Sequence, residues 1–199
     1  MKRTSLVLSL VVLLLATAAL ASAADKPAPP RMKPALLVMD VQNAWLPYMD
    51  EQDKKVGLEQ INYIIELFRA NGFPVIRVYH TDPGEGPAPG TEAFEFPKTV
   101  AVRGDDPKIV KNYPSAFKKT ALDKMLRDQG VNTVFLVGLS AVGCVLATYH
   151  GGADLDYNVF MVKHALISHD AALTKSVYDI SSTISYGPLK LLLETAAAK

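Results

Sequence analysis

The sequence predicts an α/β fold, a three-layer α/β/α Rossmann-like domain with a mostly parallel sheet. The first observation is that short apolar runs such as Ala35–Met39 and Val134–Val137 are continuous rather than alternating. Such runs are typical of strands that are buried on both faces of a parallel sheet. The second observation is that these runs alternate along the chain with segments of helical periodicity. This alternation indicates βαβ units.

The first half of the domain contains two predicted strands, a helix and a long loop. Ala35–Met39 and Val75–Tyr79 are the strands, and Val56–Ala70 is the helix, which Asn71-Gly72 ends. His80–Pro107 is rich in Gly and Pro and predicts an irregular loop of a length that is often functional. The helix is predicted because apolar residues fall on one of its faces: Leu58, Ile61, Ile64, Ile65 and Phe68.

The second half continues the alternation to the C-terminus. Its predicted elements are a strand over Lys108–Val110, a helix over Lys119–Gln129, a strand over Val131–Val137, a helix over Cys144–Leu155, a strand over Asn158–Val162, and helices over Ala171–Ile184 and Leu189–Ala198. Connections between parallel strands are right-handed, which places helices on both faces of the sheet. Ligands in such sheets bind at the carboxyl ends of the strands. We therefore expect a functional site where polar residues follow those ends.

The N-terminus predicts export. Lys2 and Arg3 precede an apolar run from about Leu6 to Leu20, and the small residues Ala21-Ser22-Ala23 follow. This pattern is typical of a secretory signal peptide over residues 1–23. An uncleaved anchor is the alternative, but the run is shorter than the roughly 20 residues of a membrane span. We expect cleavage, no stable membrane span afterwards, and a periplasmic or secreted protein with a Pro-rich linker over residues 24–34 and one domain over residues 35–199.

Charge and motifs exclude some partners. The formal net charge is +1 and becomes −1 when Lys2 and Arg3 are removed with the signal peptide. Such a balance predicts no nucleic-acid partner. Gly138–Gly143 has the glycine spacing of a phosphate loop, but Cys144-Val145 follows where Lys-Ser/Thr is needed. The expected partner is a small-molecule substrate.

Cys144 is the only cysteine of the chain. It follows a predicted strand and a turn of small residues, where the next helix begins. The free N–H groups and positive dipole end of a helix N-terminus stabilise a thiolate and nearby oxyanions. The alternative is an inert buried residue, since free cysteines are often buried.

Two charged residues follow other predicted strands. Asp40 ends the first apolar run and Lys111 follows Ile109-Val110. Each has an ordinary alternative, a turn-capping carboxylate and a solvated lysine. On one sheet edge with Cys144 they would form an activation device, because the lysine favours the thiolate and the carboxylate accepts the thiol proton. His80 could line the same pocket. No second histidine lies near it, so we expect no metal site.

Three segments together resemble the isochorismatase-like cysteine hydrolases: Leu37–Asn43, Val110–Phe117 and Gly138–Val145. The resemblance implies an Asp40–Lys111–Cys144 catalytic triad and a protein that is often a homo-oligomer. It also implies a cis peptide in the nucleophile turn, at Ser140–Ala141. Backbone N–H groups near Ser140 and Cys144 would then form the oxyanion hole.

The implied function is hydrolysis of a C–N bond in a small amide or ureido compound through a thioester, without a cofactor. Family members that hydrolyse nicotinamide usually carry an Asp/His metal cluster, whereas this chain has His80-Thr81-Asp82-Pro83. The alternatives are an isochorismatase-type vinyl-ether hydrolase, which needs no thiol, and a non-catalytic binding protein on the same fold. The candidate pocket residues are Gln42, Trp45, His80, Tyr113 and Phe117.

Overall fold

Six parallel strands form one sheet in the computed structural model, which describes residues 30–84 and 86–198. The predicted signal peptide lies outside the described residues, and so do residues 24–29 of the predicted linker. The strands are β1 (Pro34–Met39), β2 (Val75–His80), β3 (Lys108–Lys111), β4 (Thr133–Leu139), β5 (Asn158–Ile167) and β6 (Thr183–Ile184). Their order is β3-β2-β1-β4-β5-β6, and every neighbouring pair is parallel.

Helices cover both faces of this sheet. They are α1 (Glu51–Ala70), α2 (Leu122–Asp128), α3 (Leu146–Ala153), α4 (Ala171–Ile180) and α5 (Tyr186–Ala197), with a 3-10 turn at Leu46–Tyr48 and a π turn at Ala141–Val145. The predicted three-layer α/β/α fold with a parallel sheet is confirmed. Within the part of the chain that the structure describes, no helix is both long and apolar enough to cross a membrane.

The core has two halves, one on each side of the sheet. Every residue of β1 and of β4 is buried. Along β1, Leu36 and Val38 belong to one half, whereas Ala35, Leu37 and Met39 belong to the other. This arrangement explains why the strand sequence is apolar throughout, because a strand in the middle of a covered sheet has no solvent-facing side.

Several element boundaries differ from the sequence prediction. α1 begins at Glu51 rather than Val56, because the Asp50 side chain caps it by accepting a hydrogen bond from Asp53 N (2.9 Å). β1 begins at Pro34, the last residue of the predicted linker. β5 continues to Ile167, well beyond Val162.

The predicted helix over Ala171–Ile184 is in fact a helix and a strand. α4 ends at Ile180, and Ser181 has extended backbone angles (φ −125°, ψ 163°). β6 then pairs with β5, with Ile184 opposite Val162. Pairing at the sheet edge therefore outweighs the local helical pattern, which sequence periodicity alone does not reveal.

Candidate active site

The site lies where the strand order reverses. The first strand, β1, lies in the middle of the sheet. The next two strands, β2 and β3, are added outward on one side of it, and β4 is added on the other side. Such a switch point creates a crevice at the carboxyl ends of the strands. Asp40 follows β1, Cys144 follows β4 by five residues, and His80 and Lys111 are paired neighbours at the ends of β2 and β3.

The Lys111 ammonium is the centre of this group. Its Nζ lies 2.8 Å from Asp40 Oδ2, 3.0 Å from Cys144 Sγ and 3.1 Å from His80 Nδ1. An ammonium has three N–H donors, so these three acceptors match its full capacity. Lys111 is only 1% exposed, and Lys and other charged residues are almost never buried to this extent unless paired. The geometry thus gives the lysine a fixed position and no donor to spare.

Asp40 has a strained backbone and a buried side chain. It is 2% exposed and its φ is 52°, a left-handed angle that is uncommon for residues other than glycine. Burial raises the pKa of its carboxyl above the usual 3.8, and the nearby Lys111 charge opposes that rise. Its Oδ1 is buried without a hydrogen-bond partner among the described residues. One carboxylate oxygen is therefore free to accept a proton.

The turn that carries Cys144 differs from the prediction in two ways. A π turn over Ala141–Val145 precedes α3, so the helix does not begin at the cysteine. The cis peptide is at Leu139–Ser140, one bond before the predicted Ser140–Ala141. The expectation was wrong by one residue because sequence spacing locates the turn but does not resolve individual peptide bonds. Ala141 is fully buried and belongs to the core.

The Cys144 thiol is protonated at rest. Burial, together with the adjacent Asp40 charge, raises the pKa of this thiol to about 11, and Lys111 only partly opposes the shift. Lys111 favours the thiolate, as expected, but the effect of burial on the thiol pKa is larger. The Lys111 ammonium can balance one negative charge, on Asp40 or on Cys144, because it contacts both side chains. A protonated thiol reacts only if a base accepts its proton, and the Asp40 carboxyl is an acceptor close to Cys144.

His80 is a neutral acceptor. Burial and the Lys111 charge lower its pKa to about 4, so the imidazole is uncharged at neutral pH. Because Nδ1 faces the Lys111 ammonium, the ring proton is on Nε2. The backbone of His80 is fixed by the buried Gln42 side chain, which accepts from His80 N (2.7 Å) and donates to His80 O (3.0 Å). Gln42 also donates to Phe94 O (2.9 Å), which ties the long loop to the end of β2.

A cavity of about 220 Å³ opens onto these groups. Its lining residues are Asp40, Trp45, Met49, His80, Leu139, Ser140 and Cys144. Trp45 and His80 were expected here, and their rings lie 6.0 Å apart. Met49 and Leu139 were missed. Leu139 is the last residue of a strand that precedes the nucleophile, and that position could have identified it.

Three predicted pocket residues lie elsewhere. Gln42 acts through the backbone contacts described above, and Phe117 stacks on Tyr157 with ring centroids 5.5 Å apart. The Tyr113 ring faces two lysine ammonium groups, those of Lys118 (4.5 Å) and Lys119 (5.2 Å). None of the three lines the cavity. Tyr113 and Phe117 are close to Lys111 in sequence, but neither ring lies at the cavity. The path of the chain after Lys111 directs them towards the surface or into the core.

The site contains a donor set that a metal ion could use, but the lysine occupies its centre. Single donor atoms of Asp40, His80 and Cys144 lie within 4.8 Å of one another. The same three residues surround Lys111 Nζ at 2.8–3.1 Å. A divalent cation placed among them would meet an ammonium at close range, where like charges repel strongly. The residues present do not fit a metal.

Comparisons with known proteins agree with this fold. The chain belongs to the isochorismatase family, because the model of the Isochorismatase domain matches residues 34–179. The uncharacterized isochorismatase family protein YrdC of Bacillus subtilis is 29% identical over 161 residues, which cover 76% of this chain and 83% of YrdC. The secreted isochorismatase effector Isc1 of Verticillium dahliae is 28% identical over 141 residues, 68% of this chain and 73% of Isc1.

This chain is also similar to a solved structure of an amidase. The crystal structure of N-carbamoylsarcosine amidase from Thermoplasma acidophilum superposes with a TM-score of 0.68 and 27% identity, and the match covers 77% of this chain and 95% of that one. The family and these relatives support the assignment of this chain to the hydrolases.

Proposed function

We propose that this protein is an exported cysteine hydrolase that cleaves the C–N bond of a small amide or ureido compound. The observation that carries the proposal is the contact of one buried ammonium, Lys111, with both Asp40 (2.8 Å) and Cys144 (3.0 Å) at the edge of a cavity. A carboxylate, an ammonium and a thiol at these distances suit nucleophilic attack with general-base assistance. The similarity to an amidase supports the same reaction class.

The first half of the reaction forms a thioester. Asp40 accepts the thiol proton of Cys144 while Sγ bonds to the substrate carbonyl carbon. The free Oδ1 and the high pKa of the thiol both favour this coupled transfer over a resting thiolate. Asp40 then passes the proton to the leaving nitrogen as the C–N bond breaks, and the amine departs. Lys111 keeps its contacts throughout and stabilises whichever of the two acids carries the negative charge.

The second half releases the acid. Water attacks the thioester carbonyl, Asp40 takes a water proton, and the C–S bond breaks. The proton returns to Cys144, so one amide and one water give one acid and one amine. In both halves an oxyanion forms. Gly143 and Val145 donate their N–H groups to Ser140 O (3.0 and 3.2 Å), and the Cys144 N–H between them is the proposed oxyanion donor.

Export completes the proposal. The predicted signal peptide over residues 1–23 places the enzyme in the periplasm or outside the cell. The similarity to the secreted effector of Verticillium dahliae supports export of this chain.

Mass spectrometry of a trapped intermediate tests the function. We expect the purified protein, mixed with a panel of small amides and ureido compounds, to gain one acyl mass on Cys144 and to release the amine. Cys144→Ala should show neither, and Asp40→Asn should fail to acylate although the thiol remains. A vinyl-ether hydrolase would instead keep its activity in Cys144→Ala. An inert thiol with no acyl mass from any compound would favour the binding-protein alternative.

A further inference from the structure

Much of the cavity wall is apolar. Trp45, Met49 and Leu139 contribute the large side chains that line it, next to Asp40, His80, Ser140 and Cys144. Its volume of about 220 Å³ is below the roughly 300–1,000 Å³ of pockets for drug-sized ligands. A ligand that fits must therefore be small and must place apolar surface against these three residues.

The polar part of the cavity offers no unpaired positive charge. Arginine is absent from the lining residues of the described chain, and so is lysine. The nearest ammonium, Lys111, already uses its three donors on Asp40, Cys144 and His80. His80 is uncharged, because its Nδ1 accepts from that ammonium. Asp40 adds a negative charge on the cavity side.

A carboxylate bound here could accept a hydrogen bond from the neutral Nε1–H of Trp45, which has no partner in the described structure. It would find no free ammonium or guanidinium among the described lining residues, and it would lie beside the Asp40 carboxylate. The burial of an unpaired ion is heavily penalised in proteins, and recognition of a carboxylate normally requires a fork of donors such as an arginine. An amide or ureido group carries no charge and avoids this penalty. Apolar substituents of the ligand would then bind favourably, because they bury apolar surface against the apolar residues of the cavity wall.

We infer that this site takes small uncharged amides or ureido compounds with apolar substituents, and that it rejects those that carry a carboxylate. The identity of the cleaved bond rests on the proposed function, whereas the charge selectivity of the cavity does not. The selectivity follows from which side chains line the cavity and from how Lys111 is already paired.

Alkylation of Cys144 measures the selectivity without any turnover. Iodoacetamide and iodoacetate have nearly the same size, but only the second carries a charge, and Cys144 is the only thiol of the chain. Because both reagents need the same thiolate, the protonation state of the thiol cancels in the ratio of their rates. We expect this ratio to favour iodoacetamide at least about tenfold more in the folded protein than in urea-denatured protein, since the folded cavity adds the penalty of an unpaired ion.

A charge introduced at the cavity wall provides the matched control. Met49 lines the cavity, whereas its neighbour Tyr48 is 73% exposed and does not. Met49→Lys should move the ratio towards iodoacetate, because it supplies the missing cation. Tyr48→Lys adds the same charge one residue away on the outside and should leave the ratio at the wild-type value. Equal ratios in folded and denatured wild-type protein, or a preference for iodoacetate in the folded state, would overturn the inference.

Turnover gives a second measurement that separates the two proposals. Succinamate and 4-oxopentanamide differ by exchange of a carboxylate for a methyl ketone of similar shape. We expect a higher kcat/KM for the uncharged compound. A carboxylate compound that is turned over equally well overturns the substrate class. Selective alkylation without hydrolysis of any amide would contradict the proposed function and support the cavity inference.

Discussion

A single lysine ammonium organises the charges of the site. Lys111 is buried, and its Nζ lies within 3.1 Å of a carboxylate oxygen, a thiol sulfur and an imidazole nitrogen. Two of these partners are acids that exchange a proton during the proposed reaction, and the third is a neutral base. A fixed cation beside them keeps one negative charge favourable in the site, whichever acid carries it. We therefore expect the lysine to act by position and charge, not as a nucleophile.

Removal of that charge should cost both stability and activity. In Lys111→Met, Asp40 loses the partner that opposes the rise of its pKa, so the pKa climbs further above the 3.8 of an unfolded chain. A group with a raised folded-state pKa loses stability as the pH rises from the unfolded value through the folded one. We expect Lys111→Met to lose about 3–5 kcal/mol of unfolding free energy at pH 8 and less at pH 5, measured by urea denaturation.

A double variant is the control for this prediction. Lys111→Met with Asp40→Asn removes both charges and keeps the approximate volume of both side chains. It should recover most of the stability at pH 8 but none of the activity. Lys111→Met protein with wild-type stability at both pH values would show that the buried ion pair is misassigned.

His80 should give the protein a second pH dependence, at lower pH. Its pKa falls from 6.5 in an unfolded chain to about 4 in the fold, because of burial and the Lys111 charge. The stability that it contributes is complete above pH 6.5 and is lost progressively as the pH falls towards 4. His80→Asn keeps an acceptor for Lys111 without the titration. We expect a smaller loss of unfolding free energy between pH 7 and pH 4.5 in this variant than in wild-type protein.

The exposed His150 on α3 provides the comparison for His80. The unfolding free energy of His150→Asn should depend on pH as that of the wild-type protein does, because this exposed side chain lies outside the site. If His80→Asn and His150→Asn both follow the wild type, His80 is not buried against the ammonium in solution.

At the scale of elements, the site depends on how closely β4 passes β1. Gly138 lies near the end of β4 with φ 112°, and a Cβ built on it would be 2.1 Å from Met39 O. No side chain fits at that distance, so the glycine permits Cys144 to approach Asp40. Thr148 on α3 adds a second tie by accepting a hydrogen bond from Ala116 N (2.9 Å) in the segment after Lys111.

Gly138→Ala should therefore disturb the fold and the site together. We expect a loss of about 3 kcal/mol or more of unfolding free energy, from backbone strain and from the contact with Met39 O. Gly187→Ala is the matched control, because an added Cβ there has no described atom within 4 Å and lies in α5. That change should be neutral or stabilising by up to about 1 kcal/mol. Chemical denaturation of both variants distinguishes the outcomes.

At the scale of the whole molecule, the chain is predicted to be processed before it acts. Cleavage after Ala21-Ser22-Ala23 would leave a protein that begins at Ala24. We expect intact-mass analysis of the exported protein to give residues 24–199. Ala23→Arg should block processing and retain the precursor, whereas Lys26→Gln should be processed normally. Exported protein that retains residues 1–23 would contradict the assignment. The homo-oligomer likewise stays a prediction, which sedimentation equilibrium can test.

The sequence by itself determined five of the six strands of the described sheet, their parallel arrangement, and the position of Asp40, Lys111 and Cys144 at or after strand ends. Continuous apolar runs and helical periodicity are local signals, and a parallel topology brings strand ends together whatever the details of packing. Sequence reasoning could not place the aromatic residues after Lys111, since their direction depends on the turn that follows β3.

Tertiary structure alone decided the protonation of the site and the walls of the cavity. The pKa of Cys144 and that of His80 depend on burial and on distances to Lys111, which the linear chain does not contain. The cavity obtains Met49 and Leu139 from segments 90 residues apart. Electrostatic and packing energies depend on separation in space, so these features exist only once the strands are paired and the loops have closed over them.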